Sequence, residues 1–246
     1  FPIEPEFYRQ HLLDSIKRVW REFIEKTPQK HDFQIIFKGG ENIILVKRGG
    51  KEHYYLLSQR DFSKKRIILS YSTGMVAFGI TLREIFAFLL EKDGFLLHCS
   101  ALISKNKRLN IFIAPSGGGK STTAKVLQGG ALKHFSDDIL IVRKVRGSWS
   151  FYSPPFIEKD SLPQKLLSSK ARIFLVNKAK KASLEALQDK EGLLKKMTRQ
   201  LWLNRPFLTK QILKNVMLFI KDNQFYNLNA VRDIKKMKGL FNEIGD

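Results

Sequence analysis

Ala114-Pro115-Ser116-Gly117-Gly118-Gly119-Lys120-Ser121 is a stretch whose residue types and spacing suit it to holding a phosphate. It follows the apolar run Ile111-Phe112-Ile113 and leads into Thr122, Thr123, Ala124, Lys125, Val126 and Leu127, which read as the first turns of a helix. A strand, a glycine-rich turn and a helix N-terminus in that order let backbone N–H groups converge on an oxyanion. The helix dipole adds about half a positive charge there. In the general pattern G-x-x-x-x-G-K-S/T the lysine, here Lys120, reaches the β- and γ-phosphates, and the hydroxyl, here Ser121, holds Mg²⁺. Ser116, Gly117, Gly118, Gly119 and Thr122 complete the expected nucleotide contacts. Ala114 stands where the pattern has its first glycine, so that turn must tolerate a Cβ.

A phosphate cradle does not define a reaction; the acids and bases around it do. Many proteins with such a loop end a short apolar strand in the metal-binding Asp. Here Arg172–Val176 runs into Asn177, and Ile139–Val142 runs into Arg143. The adjacent carboxylates Asp137-Asp138 read instead as the lead into an apolar strand. Neighbouring like charges repel, so one needs a metal or a lysine to stay ionised while the other can have a raised pKa. A metal ligand beside a general base would use that asymmetry; an Asx-type turn at a strand start is the plainer alternative. His98 sits in the apolar run Leu96, Leu97, Ala101, Leu102. It is a core residue, or it lies near bound phosphate on a strand beside the loop strand.

Three features therefore stand in one order: Leu97-His98-Cys99-Ser100-Ala101, Pro115–Ser121, and Ser136-Asp137-Asp138. Their order and intervals resemble the catalytic domain of HPr kinase/phosphorylase and its smaller relatives, including kinases of peptide-modifying gene clusters. The resemblance is good over residues 94–143 and weaker through Tyr152-Ser153-Pro154-Pro155-Phe156 and the C-terminal helices, about half of the chain. It implies a fold similar to phosphoenolpyruvate carboxykinase, and transfer of a phosphoryl group from ATP, with Mg²⁺, to a serine or threonine hydroxyl. Carried over by position, Ser121 and Asp138 hold the metal, and Asp137 accepts the hydroxyl proton or orients the acceptor. His98 lies near the transferred phosphate, and Lys120 with the loop amides binds the β- and γ-phosphates. No stretch matches the family's second, glycine-rich signature downstream of the acidic pair, which is associated with reversing the reaction. The resemblance thus carries forward transfer only.

The elements that must position these groups are readable in outline. Residues 79–246 are expected to form the α/β catalytic domain with a mixed sheet, preceded by a small α+β portion at 1–78. In that portion Tyr8, Leu12, Ile16, Val19 and Phe23 predict an amphipathic helix over 6–26, ended by Thr27-Pro28. Phe33–Phe37, Ile43–Val46 and Tyr54–Leu57 predict strands joined by turns at Gly39-Gly40 and Gly49-Gly50, and Ile67–Tyr71 predicts a fourth. Thr81-Leu82-Arg83-Glu84 is a capping box that starts a helix stopped by Gly94. Phe95–Ile103, Leu109–Ala114, Ile139–Val142, Trp149–Tyr152, Arg172–Val176 and Gln224–Leu228 predict strands. Residues 184–201, 206–221 and the basic C-terminus predict helices.

Composition narrows the classes further. One cysteine, Cys99, excludes an intrachain disulfide and a Cys-based zinc site. No apolar run is long enough to span a membrane and no signal-peptide pattern opens the chain, so a cytoplasmic setting is expected. A net charge of +21, spread along the chain with no basic tail, attracts polyanions or simply solvates the surface. The expected partner is a hydroxyl-bearing peptide, protein or small molecule, acidic in keeping with that charge; self-association stays open. Arg199 and Arg205, near Lys195 and Lys196, are candidates to stabilise a transferring phosphate, or form a solvated helix face. A nucleic-acid-stimulated ATPase and a non-catalytic nucleotide-binding regulator are the alternatives to a kinase. The acidic pair disfavours the nucleic-acid reading.

Overall fold

The computed structural model describes residues 5–24, 32–38, 43–48, 51–56, 59–70, 75–129, 131–156, 164–188, 190, 192–202 and 209–243. The architecture is mixed α/β. The chain divides into two compact units, Phe1–Leu89 with Pro155–Pro163, and Leu90–Pro154 with Gln164–Asp246. The division falls later than residue 78, because a helix expected to begin the second unit belongs to the first.

In chain order the first unit holds α1 (Pro5–Val19), β1 (Gln34–Lys38), β2 (Ile43–Arg48), β3 (Lys51–Leu56), β4 (Gln59–Asp61), β5 (Arg66–Ser70) and α2 (Met75–Leu89). The first helix is shorter than its periodicity predicts. Trp20 leaves it to bury its indole edge-on against Phe78 at 5.0 Å and to donate Nε1–H to the Pro155 carbonyl. Thr27-Pro28, Gly39-Gly40 and Gly49-Gly50 lie outside the described residues. β2 and β3 pair antiparallel up to Arg48 and Lys51, as a hairpin requires. β1, however, pairs in parallel with β5, whose Ile67 and Leu69 are buried with Trp20 and Phe78. Thr81 and Glu84 are buried in the middle of α2 rather than capping it. Burial of Phe78 carries the helix upstream of that local signal, and α2 ends at Leu89, ahead of Gly94.

The second unit contains β6 (Gly94–Leu97), β7 (Ser100–Ser104), β8 (Arg108–Ile113), α3 (Lys120–Leu127), β9 (Leu132–Asp137), β10 (Leu140–Val145) and β11 (Ser148–Tyr152). It continues with β12 (Leu167–Ser168), β13 (Lys170–Lys178), β14 (Ser183–Ala186), α4 (Leu193–Thr198), α5 (Lys210–Asp222), β15 (Phe225–Ala230) and α6 (Ile234–Glu243). A six-stranded mixed sheet runs β14-β15-β13-β8-β7-β9, and a four-stranded one runs β12-β11-β10-β6. β13 is parallel to both β8 and β15, while β7 is antiparallel to both β8 and β9. The ends of β8, β9, β13 and β15 and the start of β7 therefore share one edge.

The central strands β8 and β13 are apolar without interruption because both faces are covered. Ile111, Ile113, Ile173 and Leu175 face a core with α4, α5 and the four-stranded sheet; Phe112, Ala114, Phe174 and Val176 face α3 and α6. Phe112 and Phe174 stack at 5.4 Å across the sheet. Two expectations fail here. The helix predicted over 184–201 is β14 followed by the short α4, since pairing of Leu184 with Leu228 outweighs the helix-forming composition. The strand predicted over Phe95–Ile103 is two strands, β6 and β7, in different sheets. Among the described residues no helix is long and apolar enough to cross a membrane.

Candidate phosphate-binding site

β8 ends at Ile113, and the chain turns through Ala114–Gly119 into α3. Gly117 and Gly119 have φ of 72° and 99°, conformations that a side chain strains. At Gly118 a Cβ would stand 2.7 Å from the Ala114 Cβ and 2.9 Å from the Pro115 carbonyl oxygen, so the loop closes only around glycine. Gly119 occupies the N-cap of α3 and supplies no side-chain acceptor, leaving the first N–H groups of the helix for an outside anion. Ala114 is buried with its methyl in the core on the α3 side of the sheet, which is how that turn accommodates it.

Lys120 is buried at the first position of α3. Its Nζ donates to the Ala114 carbonyl at 2.9 Å and to that of Pro115 at 3.3 Å. Burial pushes its pKa below the ordinary lysine value, against the opposing fields of Cys99, Asp138 and Asp137. Ser121, one residue on, donates its hydroxyl to Asp137 Oδ1 at 2.9 Å.

Asp137 ends β9, a strand that was not expected, and Leu132-Lys133-His134-Phe135-Ser136 hides it by mixing polar and apolar residues. The site thus does have a strand-terminal carboxylate. It comes from the far edge of the sheet, brought to the loop because β7 separates β9 from β8. Ser100, at the start of β7 and fully buried, donates to the same Asp137 Oδ1 at 2.5 Å, and its Oγ lies 3.3 Å from that of Ser121. Ser100 is the residue sequence reasoning missed. Its signal was present, since it directly follows His98-Cys99 in the run that carried the resemblance.

His98 and Cys99 occupy the break between β6 and β7, and Asp138 and Ile139 the matching break between β9 and β10. Leu97 pairs with Leu140 in one sheet and Ser100 with Asp137 in the other, so both chains cross between sheets side by side. The Asp138 N–H donates to the Cys99 carbonyl at 3.0 Å, tying the crossings together. Asp138 has φ of 95°, an uncommon conformation for a residue with a side chain. Such strain is held by surroundings at a cost of about 1–3 kcal/mol and gathers at functional sites. Its exposed carboxylate lies 3.4 Å from His98 Nε2. The His98 N–H donates to the Gln200 carbonyl at 2.7 Å, which brings the end of α4 to the histidine. Arg199 is exposed beside Gln200, and Arg205 lies outside the described residues.

The structure therefore gathers Lys120, Ser121, Asp137, Asp138 and His98, with the carboxylates on different partners. Asp137 is bonded to Ser121, whereas Asp138 faces His98. Ser121 and Asp137 offer only hard oxygen donors, a set that suits Mg²⁺ better than softer metals. Among the described residues no three His, Cys, Asp or Glu side chains gather as a self-sufficient cage, so such an ion would draw further ligands from phosphate and water. A cavity of about 460 Å³ opens from the loop, bounded by Gly117–Thr123 and by the ends of β13 and β15 with the residues just beyond them. No family model matches the chain and no curated protein matches it.

Proposed function

We propose that this chain is an ATP-dependent phosphotransferase that moves the γ-phosphoryl group to a hydroxyl, on a catalytic unit of the HPr kinase and phosphoenolpyruvate carboxykinase type. The observation that supports it best is the meeting of Ser121, Asp137 and Ser100 beside a glycine-defined loop, with Asp138 exposed and His98 half-buried next to them. Phosphoryl transfer needs in-line positioning and charge neutralisation more than covalent chemistry.

In this reading Lys120 exchanges the Ala114 and Pro115 carbonyls for the β- and γ-phosphate oxygens. Ser121 and Asp137 would hold Mg²⁺, which would supply neutralisation of the charge that develops on the transferring phosphoryl group. On the strength of these hydrogen-bond partners, the two carboxylates are assigned the reverse of the roles that the resemblance implies. Asp138, exposed and paired with His98, takes the acceptor's proton as its oxygen bonds to the γ-phosphorus. The bond from that phosphorus to the β-γ bridging oxygen breaks, and ADP leaves with the electron pair. His98 holds the Asp138 carboxylate in place.

The test is incubation with γ-labelled ATP and a cell extract or peptide library, followed by identification of the labelled molecule. Label on a hydroxyl of a defined acceptor, lost with Lys120→Ala, is expected. Release of labelled inorganic phosphate without any labelled acceptor would overturn transfer in favour of hydrolysis.

A further inference from the structure

The cavity extends past the phosphate loop in one direction, and that direction carries information. Ser121 and Asp137 mark the β7–β9 side, where the terminal phosphate and metal belong on the reading above. The open volume lies on the opposite side, against Val176 and Lys178 at the end of β13 with Ala179 just beyond it, and against Ala230 at the end of β15 with Val231 and Arg232 just beyond it. About 460 Å³ falls within the size of small-ligand sites, and three phosphates on the loop would not fill it.

The chemistry of this wall is uneven. The Ala179 N–H is bonded to the Ala230 carbonyl at 3.0 Å, so this pair of main-chain groups is already engaged. Val176, Ala179, Ala230 and Val231 offer apolar surface, and among the described residues no carboxylate lines the cavity. Among the described residues the charged groups that line it beyond the loop are Lys178 and Arg232, both exposed. The Lys178 stem lies along Gly119, with Cγ and Cε 3.7 and 3.8 Å from the position a Cβ would take. That places its ammonium chain over the loop. Arg232 stands on the neighbouring strand's exit, farther along the wall. A guanidinium beside an apolar shelf suits the face of a heteroaromatic base, and an ammonium over the loop suits phosphate oxygens.

We propose that this wall is the nucleoside subsite: Lys178 contacts the phosphate chain, and Arg232 with the Val176–Val231 shelf receives the base. The donor then lies across the strand ends with its base over β13 and β15 and its terminal phosphate toward β9. This rests on the nucleotide-binding reading, and the experiment separates the two. Binding of ATP and of inorganic tripolyphosphate, each with Mg²⁺, is measured by calorimetry on the full chain and on Lys120→Ala, Lys178→Ala and Arg232→Ala. Lys178→Ala should weaken both ligands about tenfold, as loss of one charge-assisted contact does. Arg232→Ala should weaken ATP about five- to tenfold and leave tripolyphosphate unchanged. Arg232→Ala that weakens both ligands equally, or neither, overturns the placement of the base. Lys178→Ala with unaltered binding overturns its phosphate contact. Failure of the unaltered chain to bind ATP overturns the nucleotide-binding reading itself. Both side chains are exposed, so folding is not at stake, and melting curves check it.

Discussion

Asp137→Asn and Asp138→Asn separate two roles that adjacent carboxylates could share. Asn at 137 retains Oδ1, so it can still accept from Ser100 and Ser121. What it loses is charge. Neutral hydrogen bonds are roughly half as strong as charge-assisted ones, so folding should lose only about 1–2 kcal/mol. Two unit charges 4 Å apart interact by about 4 kcal/mol at an effective dielectric of 20, and a divalent ion by up to about twice that before the retained oxygen ligand and water offset part of the loss. Apparent Mg²⁺ affinity should therefore fall by about 100- to 1000-fold. Asn at 138 tolerates the φ of 95° as well as Asp does, so the backbone should hold. It cannot take a proton, and transfer should fall by about 100-fold or more at unchanged Mg²⁺ dependence. The assay is the initial rate of label transfer as a function of Mg²⁺ at fixed ATP, for both variants. A normal Mg²⁺ curve for Asp137→Asn together with a displaced one for Asp138→Asn would refute the role exchange argued from the Ser121 contact.

Three further outcomes follow from the same geometry. Ser100→Ala removes one of the two hydroxyls on Asp137 Oδ1 and should cost about 1–2 kcal/mol in chemical denaturation, with a roughly tenfold weaker apparent Mg²⁺ affinity; unaltered Mg²⁺ dependence would show that Ser121 alone orients the carboxylate. Gly118→Ala forces a Cβ within 2.7 Å of Ala114 and 2.9 Å of the Pro115 carbonyl oxygen, and should lower ATP affinity at least about tenfold in calorimetry and the melting temperature by a few degrees. Burial holds His134 below its ordinary pKa of 6.5, with Asp137 opposing. The unfolded chain then binds the proton first, so stability should fall as pH drops below 6.5 and level off beneath the folded pKa. His134→Gln should flatten that segment of a melting-temperature profile.

The parts of this chain that were legible share a cause: their signal is local. The loop could be read because Gly117, Gly118 and Gly119 are required by backbone geometry within a few residues of Lys120. β8 and β13 could be read because burial on both faces makes them continuously apolar. β9 could not. It is an edge strand whose Lys133 is exposed and whose His134 is half buried, so no alternation marks it, and its purpose is visible only through its pairing with β7. The capping box at Thr81–Glu84 was misleading for the converse reason, a local signal overruled by Phe78 packing on Trp20. Asp137 and Asp138 were recognisable as a pair, but adjacent residues on a strand end point to different neighbours. Which one meets Ser121 depends on where β9 stops.

The paired crossings at His98-Cys99 and Asp138-Ile139 bear on how this unit comes apart. The loop, Ser100 and Asp137 belong to the six-stranded sheet, while His98 and Asp138 are held in register by β6 and β10 of the other. Neither sheet holds a complete constellation. If β6 and β10 separate, the Asp138 N–H loses the alignment that joins it to Cys99, though the phosphate cradle can persist. On the proposed reading, partial unfolding would thus leave a species that binds nucleotide without a positioned proton acceptor. Catalysis would report the integrity of both sheets and nucleotide affinity of only one, so the two should melt at different points whenever the sheets uncouple. Exchange of the Asp138 amide with solvent is the local gauge of that coupling.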